Sequence, residues 1–433
     1  MVDLIIERTD ELGGAVRAPP SKAYTHRALI ASSLSEGSSR IREPLICDDT
    51  LATIDACRLL GADIERGDGY INVHGALKPA TPEDVIYCRD SGSTIRFITP
   101  VTALADGISI LTGGESLRRR PMMPLLEALR GLGVRCYSAR FDGYPPIVVF
   151  GGGIRGGETW IRGDVSSQFL SGLLFATPKA EEDTTIKLTT ELESKPYVTM
   201  TMDTLRRHGV EVEAEEGYRT IRVPSGQCYK PADHTIEGDY SSAAFILAAA
   251  AVTNSRVRVE NLKVDTLQGD RLILNILKVM GVEVKVGSDY VEVLGVHGGL
   301  RGVEIDLRDN PDLIPVCAAI APYAEGKTII RGVRRLRFKE SDRISTITSE
   351  LRKMGVRVSS SGDQIEICRS QTWGAELNAH RDHRIAMACA VTALRAKGET
   401  IIHGIECISK SYPKFIDDMK LLGANLEVEQ ASL

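Results

Sequence analysis

Lys278-Val279-Met280-Gly281-Val282-Glu283-Val284 reads as the last turn of a helix, a left-handed stop and the start of an alternating strand. Gly281 suits the position after a helix end because φ > 0 there disfavours any Cβ. A polar turn, Gly287-Ser288-Asp289, then leads into a returning strand, Tyr290-Val291-Glu292-Val293. The same pattern recurs at Arg58–Ile64, Arg130–Cys136, Arg207–Val212, Lys353–Val358 and Lys420–Leu426. Its glycines (Gly61, Gly133, Gly209, Gly281, Gly355 and Gly423) return about every 70 residues, the mark of an internal repeat. Upstream in each copy lie a first helix, a middle strand and a polar loop that opens the second helix. The middle strands are predicted at Ser39–Arg42, Ile108–Leu111, Thr184–Leu188, Ser255–Val259, Lys327–Ile330 and Glu399–Ile402. The unit is therefore βαβαββ, used six times, in an α/β (α+β) fold of mixed sheets on buried helices such as Ala243–Val252.

Chain order predicts two lobes of three units each. One spans residues 16–230. The other combines 1–15 with 231–433, the leading strand before Arg17 returning to the second half. Pro224-Ser225-Gly226-Gln227-Cys228-Tyr229-Lys230-Pro231 is the expected crossing. With 43% hydrophobic and 26% charged residues, the 433-residue chain has the composition of an ordinary globular protein. A net charge of −5 argues against a general nucleic-acid surface and confines any anion site to a local cluster. Nine scattered cysteines without a C-x-x-C pair predict reduced thiols and a cytoplasmic setting. The N-terminus lacks the regions of a signal peptide, and the longest apolar run falls far short of the roughly 20 residues of a membrane span.

Unusual polar clusters fall at the predicted helix starts. First helices open at Ser21–Arg27, Asp90–Arg96, Ser166–Gln168, Asp239–Ser242, Asn310–Asp312 and Asp382–Arg384. Second helices open after Arg118–Pro121, Ser194–Tyr197, Lys339–Arg343 and Ser409–Ser411. Ser, Asp and Asn are ordinary caps there, and Pro121 and Pro311 suit a first turn. Each cluster alone reads as a cap, a small-residue turn or a solvated charge run. Capping does not call for Lys22, Arg27, Arg120, Arg343, Arg384 and Lys410, because cations at a helix N-terminus oppose its dipole. Held together around an anion they make sense, so a polyanion site fed by both lobes is expected.

In their order, these motifs resemble the 5-enolpyruvylshikimate-3-phosphate (EPSP) synthase family from Ala18 to Phe415. The resemblance rests on SKAYTHR (21–27), DSGSTIRF (90–97), LRRRPM (117–122), SSQF (166–169), SKPY (194–197), EGDYSSA (237–243), QGD (268–270), FKESDR (338–343), DHRIAM (382–387) and KSYP (410–413). It implies a two-domain inside-out α/β barrel-like fold of six βαβαββ repeats, three per domain. The lobes would close on substrate, shikimate phosphate lying with the first and phosphoenolpyruvate with the second, in a cleft between them.

The implied reaction moves the enolpyruvyl group of phosphoenolpyruvate onto the 5-hydroxyl of shikimate 3-phosphate through a tetrahedral intermediate, releasing phosphate. By resemblance, phosphoenolpyruvate is held by Lys22, Gly92, Arg120, Gln168, Arg343, Arg384 and Lys410. Shikimate 3-phosphate falls to Lys22, Ala23, Arg27, Ser166, Ser167, Gln168, Ser194, Tyr197, Asp312, Arg335 and Lys339. Asp312 is implied as the base for the 5-hydroxyl. Lys22 and Glu340 are the implied proton carriers at the methylene carbon, and His383 supports Glu340. No cofactor and no metal are implied, and the chain is expected to act as a monomer on small molecules, without nucleic acid or membrane.

Three positions depart from the family pattern: Ala23 for a serine, Asp90 for an asparagine and Arg335 for an asparagine. At position 23 the lost hydrogen bond is worth roughly 0.5–1.5 kcal/mol unless Thr25 or a water replaces it. The alternatives are a UDP-N-acetylglucosamine 1-carboxyvinyltransferase, whose mobile loop carries a cysteine absent from Gly113–Pro121, and a non-catalytic anion-binding repeat scaffold.

Overall fold

Residues 2–430 are described by the computed structural model. The chain folds into two compact units, Pro20–Ile236 (the continuous unit) and Met1–Pro19 with Glu237–Leu433 (the split unit). Each has a hydrophobic core of its own.

The continuous unit carries helices α1 (Lys22–Ser33), α2 (Asp48–Leu59), α3 (Gly92–Thr102), α4 (Met123–Gly131), α5 (Ser167–Ala176) and α6 (Lys195–Arg207). Its counterparts in the split unit are α7 (Tyr240–Val252), α8 (Ile273–Val279), α9 (Ile314–Ile320), α10 (Arg343–Lys353), α11 (His383–Ala393) and α12 (Phe415–Leu421). The first helix of a repeat is buried over most of its length and lies inside. All thirteen residues of α7 and all eleven of α11 are buried, so these helices have neighbours on every side. Second helices such as α6 and α10 bury one stripe only.

Each repeat contributes a four-stranded sheet with one pattern: an edge strand parallel to the middle strand, then two antiparallel strands. Glu304–Asp306, Lys327–Arg331, Gln364–Cys368 and Val358–Ser361 pair in that spatial order. Alternation along the middle strands turns one face inward, as with Val257 and Val259, while Arg256 and Glu260 are exposed. Helices inside and sheets outside make the α/β arrangement inside-out.

All six repeat glycines close a helix with positive φ: +94° at Gly61, +87° at Gly133, +73° at Gly209, +95° at Gly281, +82° at Gly355 and +94° at Gly423. The helix stop expected at Gly281 is thus present in every copy. Two departures concern how the chain crosses between units. His234–Thr235 runs parallel to Gly37–Arg42 in the continuous unit, so the crossing lies beyond it rather than at Pro224–Pro231. Gly13–Arg17 runs parallel to Arg256–Glu260 in the split unit, which moves the other crossing from residue 15 to Pro19. Val2–Ile6 inserts between Thr400–His403 and Leu426–Gln430, taking the place that a final hairpin strand holds in the other sheets.

Candidate active site

In the split unit the starts of four helices are tied into one polar network. Arg343, the first residue of α10, is buried and donates from Nε and Nη2 to both carboxylate oxygens of Asp382 (2.8 and 3.1 Å). Its Nη1 reaches Asp312 Oδ1 at 3.1 Å, and Nη2 also reaches Glu340 Oε2 at 2.6 Å. Arg384, in the first turn of α11, donates to Asp312 Oδ2 at 3.1 Å, while Lys339 Nζ stands 3.6 Å from Oδ1. Asp382 also caps α11, accepting from the Arg384 N–H, and takes the Ser341 hydroxyl. Behind Asp312, in the same turn before α9, Asn310 donates its amide to buried Asp270, which also takes the Ser241 hydroxyl from the start of α7.

The continuous unit holds a second group. Lys22, the first residue of α1, pairs with Asp49 of α2 at 2.8 Å. Gly92 opens α3 so close to Arg120 that an added Cβ would stand 2.6 Å from Nη1. Arg96 lies over the Phe169 ring and donates to Gln168 Oε1 (2.8 Å) and to the Ser166 hydroxyl (3.4 Å). The Gln168 amide donates in turn to Ser93. Arg27 is buried, spending its donors on Ala23 O, Tyr197 O and Thr201 Oγ1. Ser194, buried at the start of α6, takes a left-handed φ of 60°.

Charge placement sets the acidities. Burial alone would raise the Asp312 carboxyl, but Arg384, Lys339 and Arg343 outweigh it and hold the group well below the usual carboxylate range. Burial lowers Lys339 to about 8 against the pull of Asp312, with Arg343 and Arg335 adding to the fall. Arg343 is raised in spite of its burial, chiefly by Asp382 and Glu340. Burial, helped by Asp312, pushes Asp270 up to about 6.

The folded chain therefore brings Asp312, Lys339, Glu340, Arg343 and Arg384 into direct contact, and likewise Gly92 with Arg120. Lys22 meets Asp49, and Ser166 and Gln168 meet through Arg96. Ser167 is the first, buried residue of α5, and His383 the first, buried residue of α11. Lys410 is buried at the end of a 3-10 turn (Ile405–Lys410) and not at a helix start as expected; α12 begins only at Phe415. Arg335 donates to Arg308 O at 2.7 Å.

Contrary to expectation, cations at these helix starts are balanced within the chain. Lys22, Arg343 and Arg384 face carboxylates of the chain itself, so their placement does not by itself require a bound anion. Thr25 does not stand in for the missing serine at 23, because its buried hydroxyl donates to Ser21 O and accepts from Leu45 N–H. Asp90 uses Oδ1 to accept from the Leu117 N–H, fixing the loop that leads to Arg120. Three residues escaped the sequence reading as partners: Asp49, Arg96 and Asp382. Each looks locally like a cap or a helix-face charge, and only its distant partner reveals the role.

A family model described as EPSP synthase (3-phosphoshikimate 1-carboxyvinyltransferase) matches residues 6–419. A 3-phosphoshikimate 1-carboxyvinyltransferase of Methanocaldococcus jannaschii is 44% identical over 431 residues, covering 98% of this chain and 99% of that one. Its counterpart in Methanothermobacter thermautotrophicus is 46% identical over 428 residues, covering 99% and 100%. Among solved structures, an EPSP synthase from Acinetobacter baumannii superposes with a TM-score of 0.82 at 27% identity, over 99% of this chain and 100% of that one. The enolpyruvyl transferase NikO from Streptomyces tendae shares the fold at a TM-score of 0.81 and 20% identity, over 100% and 99%.

Proposed function

The chain belongs to the EPSP synthase family, and from that membership we infer how its charged groups carry the reaction. It transfers the enolpyruvyl group of phosphoenolpyruvate to the 5-hydroxyl of shikimate 3-phosphate, giving 5-enolpyruvylshikimate 3-phosphate and phosphate. The observation that carries the assignment of roles is the cluster of Lys339, Arg343 and Arg384 around Asp312.

Phosphoenolpyruvate brings a phosphate and a carboxylate, and Arg343, Arg384 and Lys410 meet them together with Lys22, Gly92, Arg120 and Gln168. Arg suits this task because its planar fork binds oxyanions with two parallel hydrogen bonds. Shikimate 3-phosphate rests on Lys22, Arg27, Ser166, Ser167, Gln168, Ser194, Tyr197, Arg335 and Lys339, with Ala23 contributing backbone only. Asp312 takes the proton of the 5-hydroxyl as its oxygen attacks C2 of phosphoenolpyruvate, and C3 receives a proton from Lys22 or Glu340. Loss of a proton from C3 and cleavage of the C–O bond to phosphate complete the elimination. His383 supports Glu340.

A base held far below the usual carboxylate range is weak. Substrate anions that engage Arg343 and Arg384 offset the cationic field on Asp312 and restore its basicity when the hydroxyl is in place. The chain acts as a monomer in the cytoplasm. Among the described residues no helix is long and apolar enough to cross a membrane.

Phosphate release from shikimate 3-phosphate and phosphoenolpyruvate tests this directly. Turnover is expected with that acceptor, and Asp312→Asn should lower kcat by about 100-fold or more. Release only with UDP-N-acetylglucosamine as acceptor would overturn the assignment.

A further inference from the structure

Asp270 stands apart from the residues that meet substrate, yet it is bound to the turn that carries Asp312. The residue is 2% exposed. One oxygen takes the Ser241 hydroxyl from the start of α7, and the other takes the Asn310 amide at 3.2 Å. Asn310 in turn anchors the turn Pro311–Leu313: its N–H donates to Leu307 O at 2.9 Å, and its carbonyl accepts from Leu313 N–H at 3.0 Å. Asp312 sits in the middle of that turn. A carboxylate is an uneconomical way to fix an asparagine, since burying its charge is costly and a neutral amide could make two bonds in the same place, accepting one and donating the other.

Resting on the reaction assigned above, we propose that Asp270 is a positioning residue: it fixes the turn presenting Asp312 and keeps a second negative charge behind it. The charge has a chemical use. Asp312 is surrounded by Lys339, Arg343 and Arg384, which make it a poor base, and a like charge nearby raises its proton affinity. By charge, Asp312 raises Asp270 and Arg384 lowers it, and Asp270 in turn acts on the thiol of Cys317 on α9. Burial together with Asp312 lifts Asp270 to about 6, so it is charged at neutral pH. Because this folded-state value lies above that of a free aspartate, ionisation of Asp270 opposes folding, and the cost is fully present above about pH 6.

Asp270→Asn removes the charge and preserves both bonds if the Asn310 amide flips to present its oxygen. Kinetics of shikimate 3-phosphate and phosphoenolpyruvate turnover, the acid limb of kcat and Tm at pH 8 would be measured for the wild type, Asp270→Asn and the exchange Asp270→Asn/Asn310→Asp. For Asp270→Asn, kcat should fall about tenfold with both KM values within about twofold. Its acid limb should move to lower pH, and its Tm should hold or rise. The exchange, which returns a carboxylate to the turn, should restore at least half of the lost kcat. Asp270→Asn kinetics indistinguishable from the wild type overturn the proposal, as does a fall in kcat matched by a fall in Tm with the acid limb unmoved. Should Asp270→Asn alone fail to fold, a soluble exchange variant without activity overturns it equally. A wild type that releases no phosphate strikes the functional assignment, whereas an active wild type matched by Asp270→Asn strikes only this proposal.

Discussion

Gly92 opens α3 against the guanidinium of Arg120, and an alanine there would place its Cβ 2.6 Å from Nη1. The atom in the way is the tip of a flexible side chain, so Gly92→Ala should fold normally while displacing Arg120. The apparent KM for phosphoenolpyruvate should rise about tenfold or more, the worth of one charge-assisted contact, with Tm nearly unchanged. Unchanged kinetics would remove Gly92 from the site. Lys339 offers a test by pH. Burial lowers it to about 8, so it loses its proton as pH rises through that value. kcat/KM for shikimate 3-phosphate should therefore fall above about pH 8, and Lys339→Arg should abolish that fall because a guanidinium stays charged. The linkage sign is opposite for folding. A lysine depressed in the folded state is less protonated there than when unfolded, so this group's contribution to stability rises with pH between about 8 and the free-lysine value.

At the scale of elements, the α10–α11 pairing turns on one buried ion pair. Asp382 holds Arg343 through both oxygens and caps α11 through the Arg384 N–H. Removing Asp382 takes two bonds from a guanidinium held away from water and leaves it only Asp312 and Glu340, so the loss exceeds what an exposed pair is worth. Asp382→Ala should cost about 3–5 kcal/mol in urea unfolding. Asp306→Ala provides the contrast. Its pair with Arg308 is solvent-exposed, and its loss should cost at most about 1 kcal/mol. Equal losses in the two variants would mean that Asp312 and Glu340 suffice to hold Arg343 when Asp382 is gone. The element scale also explains why α10 begins where it does: Asp342 caps it by accepting from Ser345 N–H. That places Arg343 at the first helical position, where its cation needs Asp382, Glu340 and Asp312 against the dipole.

For the whole molecule, the ends of the chain close the split unit. Leu4 pairs with Ile402 on one side and Val428 on the other, and it is fully buried. Leu4→Ala should destabilise the split unit by about 2–5 kcal/mol. Because each unit has a separate core, hydrogen exchange should show the loss of protection in the split unit and little change in Pro20–Ile236. Equal loss in both would show that they unfold as one body.

The sequence by itself determined the repeat, the helix stops and the succession of helices and strands along each copy, because these rest on local rules. A left-handed closing glycine, a period of two and a period near 3.6 are all written within a few residues of one another. It also carried the family, since the motifs at the helix starts are contiguous. Tertiary structure alone decided where the chain crosses between units. A Pro-Gly stretch marks a turn, but whether a following two-residue strand such as His234–Thr235 belongs before or after the crossing depends on a partner far away in sequence. Tertiary structure likewise decided the compensation of charge. Asp49, Asp270 and Asp382 look like ordinary helix-start acids until folding brings Lys22, Asn310 and Arg343 to them, because electrostatic energy depends on distance in space and not along the chain.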